Sequence, residues 1–142
     1  MKENENLINS VSDLINQYQK ELISINRQVT NIRETIFDFD YNISDDYSIS
    51  LLDDIVSLCE LKRKNLRIIE SPIIDLCKLY VESDELTKLA DRCAELIERY
   101  ETVVFKASNM KSAANRIMMD KARYSSKKTI KETINGNFKM ED

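Results

Sequence analysis

The chain has 142 residues, of which 32% are charged and 42% apolar, and a formal net charge of −4. It has no histidine, no tryptophan, one glycine (Gly136) and one proline (Pro72). It therefore lacks the commonest general base and transition-metal ligand, and has little material for turns or phosphate-cradling loops. Helix is the structure left open to it. Ile and Leu are too abundant for a disordered chain, and no uncharged apolar run nears the roughly 20 residues that cross a bilayer. The polar start Met1-Lys2-Glu3-Asn4 does not read as a secretory leader. A soluble, cytoplasmic, single-domain protein is expected.

The first element is marked by Ile8, Val11, Ile15, Tyr18, Leu22, Ile25, Val29, Ile32, Ile36 and Phe39, in steps of three and four. This narrow a/d stripe is that of a coiled-coil seam or a peripheral bundle helix. Ile at both a and d favours assemblies of more than two helices. The segment from Asp38 to Ser50 is rich in Asp, Ser and Asn, which hydrogen-bond their own backbone and favour turns. Ser50-Leu51-Leu52-Asp53 resembles a capping box opening the second helix, with Ser44 and Ser48 as alternative caps.

The second stripe is Leu52, Ile55, Cys59, Lys62, Leu66, Ile69, Ile73, Leu76 and Tyr80, with Lys62 its one polar member. Leu51, Val56, Leu58, Leu61, Ile68, Ile74 and Leu79 lie off it. This wide apolar surface predicts the most enclosed helix of the bundle. Pro72 removes a backbone donor, yet the heptad phase runs on from Ile69 to Ile73, so a kink is expected here and not a break.

Ser83-Asp84-Glu85 gives a cap and two acids in a first turn, a good helix start. The third stripe is Leu86, Leu89, Cys93, Leu96, Tyr100, Val103, Ala107, Met110, Ala114 and Ile117, fading at Lys121 with Tyr124 its last member. Lys127, Lys128 and Lys131 followed by Gly136 predict the helix end, with Ser125-Ser126 as a weak point. Residues 1–105 carry 12 basic and 21 acidic side chains, and residues 106–142 carry 9 and 4. The basic segment either complements the helix dipole or meets an acidic surface.

Little in the chain suggests catalysis. Cys59, Cys77 and Cys93 are far apart, form no CxxC pair and have no histidine to complete a zinc shell, so they read as small core residues. No Gly-rich loop is present. Asp45-Asp46 and Asp53-Asp54 read as caps and solubilising charge. No catalytic, metal or cofactor-binding residue is assigned, and no enzyme activity, small-molecule substrate, nucleic acid or membrane partner is expected.

The expected fold is all-α: an elongated antiparallel bundle of three long helices with coiled-coil-like packing, or four if the chain breaks near Pro72 or Ser125. One domain spans 1–142, with a body over 1–106, an amphipathic extension over 107–135 and a short tail over 136–142. A turn of a residue or two should set the second and third helices antiparallel, and the third should outrun its partners from roughly residue 117. From Ala107 to Ala122 the apolar residues change from Ile and Leu to Ala and Met. Such a stretch is either a tapering bundle end or a pliable face for a partner helix or a second copy. The residues assigned to that face are Met110, Ala114, Ile117, Met118, Met119 and Tyr124.

This whole-chain layout, with the late stretch Asn109-Met110 and Asn115-Arg116-Ile117-Met118-Met119, resembles bacterial flagellar export chaperones of the FlgN/FliT type. The resemblance implies a cytoplasmic chaperone or adaptor whose C-terminal helix holds an unassembled subunit before export. A self-assembling coiled-coil protein and a phage or viral helical inhibitor are the alternatives.

Overall fold

The computed structural model describes the backbone of residues 2–38 and 46–141, and the side chains of 5–34, 49–120, 122 and 123. It contains three helices, α1 (Lys2–Asp38), α2 (Asp46–Leu79) and α3 (Asp84–Glu141), and no strand among the described residues. The fold is an all-α helical bundle. No helix of the described residues is long and apolar enough to cross a membrane.

The three stripes form one core. From α1 it takes Val11, Ile15, Tyr18, Leu22, Ile25, Val29 and Ile32; from α2, Leu52, Ile55, Cys59, Leu66 and Ile73. From α3 it takes Leu89, Cys93, Leu96, Tyr100, Val103, Ala107, Met110 and Ala114, with Ile97 beside the stripe. Each helix is amphipathic at the helical period, so packing it against the other two removes most of its stripe from water. Phe39 and Ser44 lie outside the described residues, as do the side chains of Ile36, Ser48 and Tyr124.

Side-chain pairs fix the directions. Asp53 pairs with Lys111, and Arg63 and Arg67 reach Glu101, so numbers fall along α2 as they rise along α3. Lys62 pairs with Glu21 and Asn65 meets Tyr18, which sets α1 antiparallel to α2. Arg92 donates to Asn16 and Tyr100 to Tyr18, so α1 and α3 run parallel.

The turn between α2 and α3 spans residues 80–83, slightly longer than expected. The Tyr80 amide donates to the Leu76 carbonyl and the Ser83 amide to the Tyr80 carbonyl. The Ser83 hydroxyl accepts from the Leu86 amide at 3.3 Å, the N-cap bond that the sequence predicts.

Several boundaries differ from expectation. α2 starts at Asp46, so the Ser50 capping box lies inside the helix. α2 is continuous through Pro72. The backbone acceptor that Pro72 cannot serve belongs to Ile68, and both residues are exposed, so water can satisfy it. α3 passes through Ser125-Ser126 and Gly136 to Glu141 without a break. A glycine inside a helix costs only about 1 kcal/mol relative to alanine and does not by itself stop one.

The largest correction concerns α2. Leu58, Leu61, Ile68, Ile74 and Leu79 are exposed, so α2 is not the most enclosed helix. With only two neighbours, its stripe is covered and its flanks are not.

Candidate functional site

The candidate site is the far end of α3, and the register of the bundle determines where it begins. Lys111 stands beside Asp53, close to buried Leu52 and Ile55. Seven residues towards the start of α2 correspond to seven towards the end of α3, which places Asp46 opposite about residue 118. α1 runs parallel to α3 and stops at Asp38, near the same level. α3 therefore continues past both partners for roughly 20 residues, about 30 Å.

Burial along α3 follows this register. Ala107 and Ala114 are wholly buried and Met110 is buried, all within the core. Ile117 is half-buried against it, Met118 is half-buried, and Met119 is 57% exposed. This corrects the expected site. Met110 and Ala114 are not available to a partner, because the start of α2 already covers them. Small residues suit that place, since they let the α3 backbone approach its neighbour closely. Among the described residues the uncovered positions are Met119, Asp120, Ala122 and Arg123, with Met118 and Ile117 at the margin.

A polar cluster in the middle of the bundle shows why the register is well defined. The Tyr100 hydroxyl is buried and donates to the Tyr18 carbonyl at 2.6 Å, and the two rings meet edge to face at 6.2 Å. Asn65 Nδ2 donates to the Tyr18 hydroxyl at 3.1 Å. Lys62 Nζ lies 4.2 Å from the Tyr18 ring centroid and pairs with Glu21. Thus every helix contributes a polar group whose partner lies on another helix, and a slip of one turn would leave these groups unpaired. The pairing with Lys62 holds the Glu21 carboxyl below its ordinary range. Burial raises the Tyr100 phenol, with the nearby Glu21 charge adding to the effect. The polar member Lys62 and the tyrosines on two stripes were the sequence signal for this cluster. It binds helix to helix.

Cys59 and Cys93 are buried, and desolvation pushes both thiols up to about 11. Cys93 Sγ donates weakly to the Leu66 carbonyl at 3.4 Å. Among the described residues no group of three or more His, Cys, Asp or Glu could hold a metal ion. An open groove of about 540 Å³ lies between α1 and α3, lined by Gln19, Ile23, Asn26, Arg99 and Thr102 among others. Its polar groups are amides, a hydroxyl and one guanidinium, and Arg99 is already paired with Glu95. It contains no acid–base or nucleophile pair.

No protein-family model, curated protein or solved structure matches the chain.

Proposed function

We propose that this protein is a binding module, an adaptor or chaperone that holds a helical segment of another protein against the part of α3 that extends past the bundle. The observation that carries the reading is the mismatch in register. Two helices stop near residue 118 while the third continues, and the apolar side chain at that boundary, Met119, is 57% exposed. A methionine face adapts to varied partners, and a covered apolar helix is kept from aggregating. Such a module acts by occupancy and not by catalysis, and needs no metal or cofactor. The resemblance to FlgN/FliT-type chaperones makes an unassembled flagellar subunit the first partner to test, and the cytoplasm the place.

The structure changes how the reading is tested. A cut after Lys106 would remove Ala107, Met110 and Ala114 from the core. Substituting Ile117 would disturb a residue packed on that core. The suitable variant is full-length Met119→Asp with Tyr124→Asp, used as bait beside the native chain in a lysate of the source cells. The reading expects one or a few proteins to be held by the native chain and lost by the variant. Equal recovery by both baits would refute it and move the binding surface to the bundle body.

A further inference from the structure

Two parts of this chain stand apart from its core, an exposed strip and a projecting helix. The first is a strip on α2. Lys62 and Asn65 turn towards α1, and Arg63 and Arg67 turn towards α3. Leu61 and Ile68 sit on the remaining side, with Leu58 at its α1 edge; they are 55%, 62% and 42% exposed. The second is α3 beyond residue 118. It cannot fold back onto its own bundle, because α3 is one continuous helix to Glu141.

We infer that a second copy of the chain supplies the cover: the α3 extension of each protomer lies along the α2 strip of the other, in a two-fold exchange. The inference does not require the partner reading, but it adds a condition to it, since a partner helix must then displace the second copy. Three observations support the fit. The first is length. The extension covers about 30 Å, and a strip starting at Asp46 and passing Ile68 covers about the same.

The second is register and charge. In a two-fold arrangement with bundle ends level, residue 118 of one protomer stands beside Asp46 of the other, and the extension runs parallel to α2. Residues 121–131 then lie along 49–59. The former hold Lys121, Arg123, Lys127, Lys128 and Lys131 with no acid, and the latter hold Asp53 and Asp54, with Glu60 next in line. Asp54 and Glu60 are exposed. Further along, Ile130, Ile134 and Phe138 come level with about 58, 62 and 66, where Leu58, Leu61 and Ile68 stand. Their spacing of four places these three positions on one side of the helix. Pairing extension with extension would instead set two runs of five cations together, which is repulsive.

The third is area. A helix about 30 Å long and about 10 Å wide lays down a footprint of about 300 Å². Both faces of two such contacts total about 1,200 Å², the lower limit of a stable interface. The complex should therefore be a reversible dimer.

Sedimentation velocity on the full chain tests this. At tens of micromolar the expected mass is twice 16.6 kDa. Leu61→Asp with Ile68→Asp, both at exposed positions, should return a folded monomer. Lys127→Glu, Lys128→Glu and Lys131→Glu together should weaken the dimer at least tenfold, and adding Asp54→Lys with Glu60→Lys should restore it. A single-chain mass at every concentration overturns the exchange, as does a dimer indifferent to Leu61→Asp with Ile68→Asp. A monomer that still captures its partner through Met119 overturns the exchange alone. A dimer that captures nothing overturns the partner reading alone.

Discussion

Replacing Tyr100 by phenylalanine should cost about 1 kcal/mol at neutral pH. The ring is wholly buried, and its hydroxyl makes one bond, donated to the Tyr18 carbonyl at 2.6 Å. Phenylalanine keeps the edge-to-face contact with Tyr18 and deletes only that bond. The Tyr18 carbonyl keeps its place in the α1 backbone ladder, so no buried group is orphaned and the loss is that of a typical net hydrogen bond, about 1 kcal/mol. For a chain of this size the midpoint should fall by about 2–4 °C. Tyr100→Ala would leave a cavity between three helices and cost about 3–5 kcal/mol.

The pH dependence has a definite sign. The native phenol is raised above its ordinary value of 10.0, so the folded chain keeps a proton that the unfolded chain loses. That contribution is complete below about pH 10 and declines as pH rises through and beyond it. The gap between native protein and Tyr100→Phe should therefore narrow in alkali. Urea melts followed by circular dichroism at pH 7 and pH 11 measure both quantities. A loss above about 3 kcal/mol at pH 7, or a gap that does not narrow at pH 11, would refute the assignment of Tyr100 as a neutral donor in the core.

Other expectations follow from the same packing. Native stability should fall as pH rises from about 9, because the Cys59 and Cys93 thiols are held up to about 11 in the fold while the unfolded thiols ionise near 9.0; Cys59→Ala with Cys93→Ala should flatten that limb of the stability curve. Under native conditions an aromatic disulfide reagent should label half-buried Cys77 first, and buried Cys59 and Cys93 only as fast as the protein opens; three equal rates would contradict their burial. Leu66→Ala should cost about 2–5 kcal/mol in a urea melt, since Leu66 is wholly buried between α1 and α3. Glu21→Gln should destabilise modestly above pH 4.5 and lose its effect in acid, because the native carboxyl is lowered by Lys62 and the native advantage disappears as pH falls through its folded value.

The stripes from Val11 to Ile32, from Leu52 to Ile73 and from Leu86 to Ala114 were legible in the sequence as the core. A buried helix face repeats every three or four residues, and nothing else in the composition competed with that period. The Ser83 cap was equally plain, because a hydroxyl before two acids has one common structural use. The enclosure of α2 was misread. An apolar residue such as Leu61 or Ile68 looks the same in sequence whether a neighbour covers it or not, and the number of neighbours is a tertiary fact. The same limit applied to the candidate site. Met110 and Met119 look alike as pliable apolar residues, and only the register set by Asp53 and Lys111 places one inside and the other outside. The Tyr18–Asn65–Tyr100 bonds also needed the fold, since they join residues 47 and 82 apart in sequence.

The claim that the bundle core ends between Ala114 and Met119, leaving the rest of α3 as a surface for binding, is tested most directly by comparing thermal unfolding of two full-length variants. The solution should be dilute, where a second copy contributes least. Ala114→Asp places a charge at a wholly buried position and should cost at least about 3 kcal/mol, lowering the midpoint by about 6–12 °C. Met119→Asp should stay within about 2 °C of the native chain, since a change at an exposed position falls within about 0.5 kcal/mol. Equal losses in the two variants would show that α3 beyond residue 118 belongs to the core, and the binding surface proposed for it would not exist.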